Sequence, residues 1–272
     1  MSDTPLAGRV AVVSGGGRGL GRSFCLALAR QDAKVVVNNR NRVTDADGRG
    51  PADHVAAQIT AAGGEAVAEH SDAADPDSGE AIVAAAVERW GRLDICVANA
   101  AIGPGGMFHK QPAAQFGEVL EINLQGSVRL ARAAMAVLRP AGYGRIILVG
   151  STGGLHGDVG LSAYATSKGG LLALTRAMAI EFAGDSIRVN AILPGAVDTP
   201  MLRAGLGRGH ISGGDVHTRL DNLARKTVNG RVGKPEEIAH AIYFLADDEQ
   251  SSFMTGQAMI VDGGATARLS TE

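Results

Sequence analysis

Tyr164 and Lys168 stand four residues apart in Ala163-Tyr164-Ala165-Thr166-Ser167-Lys168, and Ser151 lies upstream at the end of an apolar run. If residues 162–182 are helical, the phenol and the ammonium share one face a turn apart. A free tyrosine titrates near ~10 and a free lysine near ~10.4, so neither is a useful acid or base at neutral pH. A fixed ammonium within a few ångströms favours phenolate, and the spacing therefore predicts a tyrosine brought down toward the working range. The Ser151 hydroxyl could hold a substrate oxygen beside that phenol. An aromatic ring and a lysine on one helix face are also common without any function. The elements that would position these groups have to carry the argument.

Those elements form an alternating series. Apolar strands are expected at Arg9–Ser14, Lys34–Asn39, Glu65–His70, Leu93–Ala98, Arg145–Gly150, Ser186–Leu193 and Gln257–Val261. Helical patterns fall between them: Ser23–Arg30, Asp53–Ala62, Ser78–Trp90, one long helix within Pro112–Arg139, residues 162–182, and a helix opened by Pro235 and Glu236 that runs to Asp247. Strands and helices in strict turn, with strands apolar throughout, predict an α/β fold with a doubly wound parallel sheet covered on both faces. A chain of 272 residues with 45% hydrophobic residues is of ordinary size for one such domain.

Several chemically distinctive stretches fall just past the strand ends, where ligands bind in such sheets. The first strand runs into Gly15-Gly16-Gly17-Arg18-Gly19-Leu20-Gly21-Arg22. Glycines permit a tight turn and close backbone approach, and the following helix offers unpaired N–H groups to a phosphate. The spacing is Gly15-x-x-x-Gly19-x-Gly21 rather than Gly-x-Gly-x-x-Gly, and Arg22 stands where an ATPase loop needs lysine. The second strand ends in Asn38-Asn39-Arg40, an amide and a cation where an acid would bond a ribose 2′-hydroxyl. Residues 41–52 form a long polar connection, either a surface insertion, which is favoured, or a cover for the adenosine end. Asp72 follows the third strand, where it could bond an adenine amine or cap a turn, and Asn99-Ala100-Ala101 follows the fourth.

Composition narrows the function classes. Lys+Arg 26 against Asp+Glu 28, net charge -2, with no basic block, predicts no nucleic-acid partner. The segment Met1–Arg9 does not resemble a signal peptide and no apolar run approaches ~18 residues, which predicts no membrane association and a cytoplasmic location. Cys25 and Cys96 lack metal-ligand spacing and read as buried small hydrophobes. His210 and His217 likewise read as surface residues; no metal is expected. Residues 201–230, rich in glycine and charge, are expected to form a lid over a substrate.

Taken together, Ser14-Gly15-x-x-x-Gly19-x-Gly21, Asn99-Ala100, Asn123, Ser151, Tyr164-x-x-x-Lys168, Pro194-Gly195 with Thr199, and Asp262-Gly263-Gly264 resemble a short-chain dehydrogenase/reductase of the single-domain type. The resemblance extends from about Gly8 to Gly264. It implies a seven-stranded Rossmann-like sheet, NAD or NADP as hydride carrier, a secondary alcohol or ketone as substrate, and often a homotetramer. Carried onto this sequence, Tyr164 is the base or acid, Lys168 lowers its pKa and bonds the nicotinamide ribose, Ser151 orients the substrate oxygen, and Asn123 holds a relay water. Gly15, Arg18, Gly19, Leu20 and Gly21 would face the phosphates, Asn39 and Arg40 the adenosine ribose, Asp72 and Ala73 the adenine. Asn99, Ala100 and Ala101 would lie along the nicotinamide side, with Pro194, Gly195, Val197 and Thr199 about the carboxamide. Ser14 replaces the more usual threonine, and Ala101 a glycine. The missing acid near Asn39, with Arg40 and Arg18 available to clamp a 2′-phosphate, favours NADP over NAD. A silent dinucleotide sensor or a sugar epimerase or dehydratase is the alternative. His156, Val159 and the lid are expected to choose the substrate.

Overall fold

The computed structural model describes residues 4–207 and 215–268. Seven parallel strands form one sheet: β1 (Val10–Val13), β2 (Lys34–Asn38), β3 (Ala66–Glu69), β4 (Ile95–Ala98), β5 (Gly144–Val149), β6 (Ile187–Pro194) and β7 (Ala258–Val261), in the order β3-β2-β1-β4-β5-β6-β7. The order reverses beside β1, which makes the carboxyl ends of β1 and β4 the crevice where such sheets bind ligands.

The central strands are mostly apolar because both of their faces are covered. Ala11 and Val13 point into one core with Val35, Val37, Ile95 and Val97, whereas Val10 and Val12 point into the other with Val36, Cys96, Ile146 and Leu148. Each fully buried Val, Leu or Ile of this kind contributes roughly 1.5–3 kcal/mol. On the first face pack α1 (Gly19–Ala29), α2 (Pro51–Ala61) and, farther along the chain, α10 (Pro235–Ala246), through Phe24, Leu28, Val55, Ile59, Ile238 and Ile242. On the second face lie α3 (Ser78–Trp90), α5 (Gly126–Ala141) and α7 (Ser162–Glu181), through Ile82, Leu130, Leu138, Leu171 and Met178. Shorter helices α4 (Ala113–Leu120), α6 (Gly153–His156), α8 (Pro200–Gly207) and α9 (Val216–Arg225) line the carboxyl-end side of the chain's path. Cys25 and Cys96 are fully buried, and burial pushes the Cys96 thiol up to about 12.

Three elements depart from the sequence reading. Helix α1 begins at Gly19, not Ser23, so the second half of the glycine loop is itself the first helical turn. Helix α2 begins at Pro51, not Asp53: proline suits the first helical position, and the Asp53 carboxylate accepts from Gly50 N at 2.7 Å. The long helix expected within 112–139 forms as one unbroken helical run, Ala113–Ala141, but a π-turn at Glu121–Gln125, unforeseen from sequence, divides it into α4 and α5. Hydrophobic periodicity does not register a one-residue widening of this kind. The polar connection after β2 is solvent-exposed over residues 42–49, as read from its composition.

The opposite, amino-terminal edge of the sheet is closed by charge. Asp94 is gripped by Arg9 at 3.1 Å and Arg92 at 2.6 Å, and Asp248 by Arg9 at 2.9 Å and Arg145 at 2.5 Å. Among the described residues no helix is long and apolar enough to cross a membrane.

Candidate active site

The glycine loop is built for backbone approach. Gly15 and Gly19 have φ of 65° and 52°, a left-handed conformation that glycine adopts without strain. Helix α1 has no side-chain cap, so the N–H groups of its first turn, Gly19 to Gly21, are open toward a phosphate. Arg18 is exposed at the lip of the loop. Ser14 ties the loop to the end of β4: its Oγ accepts from Asn99 N and Ala100 N, each at 3.0 Å, while Asn99 Nδ2 donates to Ser14 O at 2.9 Å and Gly15 O at 3.2 Å. Asn99 is therefore a strut of the loop, and Ala100 is held against Gly15. A Cβ at Gly19 would lie 3.7 Å from Thr199 and from Pro200, which brings the segment after β6 over the loop. Thr199 Oγ1 accepts from Leu202 N at 3.2 Å and starts α8. Pro194 O accepts from Thr152 N at 3.2 Å, Gly195 N donates to Val261 O at 3.1 Å, and Val197 is buried, bridged to Gly233. A backbone cradle with an uncapped helix end fits a dinucleotide pyrophosphate.

At the other end of the crevice, Asn39 packs its side chain against Gly17 and donates from Nδ2 to Arg40 O at 3.0 Å. Asp72 does not stand free for an adenine amine. Its Oδ1 caps a turn, accepting from Ala74 N at 3.2 Å, and its Oδ2 is shared by Arg40 at 3.0 Å and Arg42 at 2.9 Å. Burial works to raise the Asp72 carboxyl, but the Ala74 N–H and the two guanidiniums hold it below the usual carboxylate range. Arg42, two residues past Arg40 in the long polar connection, was not singled out in the sequence reading. Ala73 is turned toward the start of α5, its carbonyl accepting from Arg129 at 3.2 Å.

Tyr164, Lys168, Ser151 and Asn123 converge between β5, α6, α7 and the π-turn. A Cβ at Gly154 would lie 2.8 Å from the Lys168 carbonyl carbon, so α6 rests directly on the backbone of α7 and sets Ser151 beside Tyr164. Ser151 Oγ accepts from Gly153 N at 3.1 Å, and its hydroxyl acts on the Tyr164 phenol, favouring the ionised form. The π-turn buries Asn123 completely: its Oδ1 accepts from Ile102 N at 2.8 Å and its Nδ2 donates to Ile102 O at 2.9 Å. The same amide donates to Ser167 Oγ at 3.2 Å, and Ser167 in turn donates to Tyr164 O at 2.7 Å. Asn123 thus fixes the chain leaving β4 to the helix that carries Tyr164, and its side chain is spent on that task rather than bonded to Lys168. Ser167 belongs to this network and was not singled out from sequence.

The electrostatics correct one expectation. Lys168 Nζ donates to Val149 O at 2.7 Å and stands 5.7 Å from the Tyr164 ring centre; burial lowers it to about 8. Tyr164 is raised, not lowered. Its burial dominates, the Ser151 hydroxyl opposes that rise, and the Asp158 charge adds to it. The i, i+4 spacing is present, but the ammonium is anchored on a β5 carbonyl and its charged form is itself disfavoured by burial, so it does not offset the desolvation of the phenol. His156 and Val159, expected near the substrate, are exposed at the end of α6 and on the loop after it; His217 is exposed, and His210 lies outside the described residues.

A phenol and a lysine on α7 and a hydroxyl after β5, beside a glycine turn that leads into an uncapped helix, are the arrangement expected of a dinucleotide-dependent oxidoreductase. The family model described as enoyl-(acyl carrier protein) reductase matches residues 15–266, and the chain belongs to the short-chain dehydrogenase/reductase family. It is 37% identical, over 96% of its length and 98% of the relative's, to cis-4-hydroxycyclohexanecarboxylate dehydrogenase of Sinomonas cyclohexanicum. It is 36% identical, over 97% and 99%, to L-rhamnose 1-dehydrogenase (NAD(P)(+)) of Azotobacter vinelandii. The crystal structure of levodione reductase superposes with a TM-score of 0.88 at 31% identity, covering 97% of this chain and 99% of that one. The protein is an NAD(P)-dependent oxidoreductase that interconverts an alcohol and a ketone.

Proposed function

We propose that this chain transfers hydride between NADP and a neutral secondary alcohol or ketone, with Tyr164 as the proton-transfer group. The observation that carries this reading is the convergence of Ser151, Tyr164 and the buried Lys168, with the Ser151 hydroxyl acting on the phenol and Lys168 anchored on Val149 O. Bound in the glycine cradle, the dinucleotide supplies the hydride acceptor or donor. Gly15, Arg18, Gly19, Leu20 and Gly21 would hold its phosphates, with Asn99 and Ala100 along its nicotinamide side and Ala101 next to them. Pro194, Gly195, Val197 and Thr199 would hold its carboxamide end. Ser151 donates to the substrate oxygen and keeps it beside the Tyr164 hydroxyl, which gives its proton to a forming alcohol or takes one from an alcohol being oxidised. Lys168 holds a proton at Nζ for exchange with the phenol. Met201, whose Sδ lies with Tyr164 Cδ2 around Gly103, brings the start of the expected lid to the site; residues 208–214 of that segment lie outside the described residues. Screening secondary alcohols and ketones with both cofactors tests the reading; dinucleotide binding without turnover of any of them would instead fit a sensor.

The choice of NADP rests on Asn39, Arg40 and Arg42. One carboxylate between two guanidiniums leaves a net positive charge at the end of β2, and Arg40 has spent a single N–H on Asp72, keeping donors for a phosphate. Charge-assisted bonds are worth ~1.5–3 kcal/mol, so Arg40→Ala should lower kcat/KM with NADP roughly ten- to a hundredfold and change NAD less. A wild-type preference for NAD in the same assay would overturn the assignment.

We further propose a homotetramer. Ile180 near the end of α7 is 81% exposed and Phe253 is fully exposed, and the turn that carries Phe253 lies against Ala179 through Gly256. Adjacent bare apolar side chains of this kind mark a protein contact. Light scattering should give four chain masses at micromolar concentration; a single chain mass would contradict it.

A further inference from the structure

Asp158 stands apart from the other carboxylates of the reacting end. A Cβ placed on Gly153 would lie 3.1 Å from Asp158 Oδ2 and 3.5 Å from Ser151 Oγ, so the two oxygens flank one point beside the hydroxyl that holds the substrate. The side chain is exposed, and among the described residues its carboxylate forms no hydrogen bond or ion pair. At the amino-terminal edge the contrast is plain, since Asp94 and Asp248 are each gripped by two arginines.

The backbone around Asp158 is fixed while its side chain is not. Leu161 N donates to Asp158 O at 3.1 Å, and Gly106 N donates to Gly160 O at 2.8 Å, stapling the loop after β4 to the loop after α6. The neighbouring loops are apolar: Leu155 and Val159 flank Asp158 in sequence, and Met107 is next to the stapled Gly106; all three are exposed. A lone negative charge in an apolar setting, next to the phenol, acts on whatever group the substrate carries beside its reacting carbon. Its field already reaches Tyr164, helping to hold the phenol up.

We propose that Asp158 selects substrates by charge: it accepts a hydrogen bond from a hydroxyl or ammonium group vicinal to the reacting carbon and turns away a vicinal carboxylate. This deepens the alcohol–ketone reading above and rests on it. The discriminating position was passed over in sequence, although it lies between His156 and Val159, the two residues expected to choose the substrate.

The test uses the full chain with NADP and three probes of one skeleton: cyclohexanol, its vicinal diol and its vicinal hydroxy-carboxylate. In wild type, kcat/KM should rank the diol first and the carboxylate last. In Asp158→Asn the ratio of carboxylate to diol should rise roughly tenfold, the scale expected when a like charge a few ångströms away near a protein surface is removed. Asp158→Glu, which keeps the charge, should keep the wild-type ranking. A second measurement does not need turnover: calorimetric affinity of the NADP-loaded protein for cyclohexanecarboxylate, set against that for cyclohexanecarboxamide. The carboxylate should gain on the amide by a similar factor in Asp158→Asn. If no probe is turned over, the fault lies with the proposed activity, and the affinity ratio still decides the role of Asp158. An unchanged carboxylate-to-amide ratio in Asp158→Asn overturns the proposal.

Discussion

Tyr164→Phe should lower turnover by roughly 10²–10⁴-fold on any alcohol or ketone that the wild type accepts, the range that a positioned acid or base contributes. The ring stays, so its packing on the surrounding α7 and β5 residues is kept and dinucleotide affinity should be close to wild type. What is lost is the hydroxyl on which Ser151 acts and which would exchange a proton with the substrate oxygen. The same variant also isolates the titration of Tyr164. Burial raises that phenol above the ordinary 10.0, so in the cofactor-free protein a wild-type minus Tyr164→Phe ultraviolet difference titration should reach half-ionisation only above that pH and show no tyrosinate near neutrality. The sign follows from the acid: a raised pKa keeps the proton on, so the cofactor-free protein is poised to donate, the form that ketone reduction uses, through the neutral range. Near-wild-type turnover in Tyr164→Phe would remove Tyr164 from the chemistry, and a tyrosinate signal at neutral pH would reverse the electrostatic argument.

The second large effect lies in the loop. Gly21→Ala would set a Cβ 2.1 Å from Gly15 O and 2.7 Å from Asn99 Nδ2. Gly15 O is a backbone atom already held by Asn99 at 3.2 Å, so the clash cannot be relieved by turning a side chain. Overpacking of this kind typically costs ~1–3 kcal/mol and occasionally more, which for a chain of this size lowers Tm by about 5–10 °C. The displaced loop should also weaken dinucleotide binding, by about a hundredfold or more if the first turn of α1 loses its aim at the phosphates. Gly117→Ala is the control: in α4, exposed, with nothing within 4 Å of the added Cβ, it should stabilise by ~0.5–1 kcal/mol. Thermal melts of the two variants and dinucleotide titration of Gly21→Ala check both claims; a Gly21→Ala protein with wild-type Tm and affinity would refute the packing.

Much of this molecule is legible in one dimension. The continuous apolar runs at Val10–Val13 and Val35–Val37 can be stable only in strands covered on both faces, and they lie in the middle of a parallel sheet. Glycines after the first strand determine where a phosphate can be held, because a side chain at Gly15 or Gly21 would strike the backbone of the loop or of the segment after β4. The Tyr164 to Lys168 spacing follows from helical geometry alone.

What periodicity and spacing do not contain is how distant segments compete for the same polar atoms. The π-turn at Asn123 is invisible to a hydrophobic pattern, yet it aims the amide at Ile102 and ties β4 to α7. Asp72, near a predicted adenine, is instead claimed by Arg40 and Arg42, which only the sheet order β3-β2 brings within reach. Lys168 was expected to lower its tyrosine neighbour, but the carbonyl of Val149 on the adjacent strand takes its Nζ, and burial sets the direction for both groups. Local spacing determined which groups are neighbours on one helix; tertiary burial, which depends on every element packed around them, decided their charge.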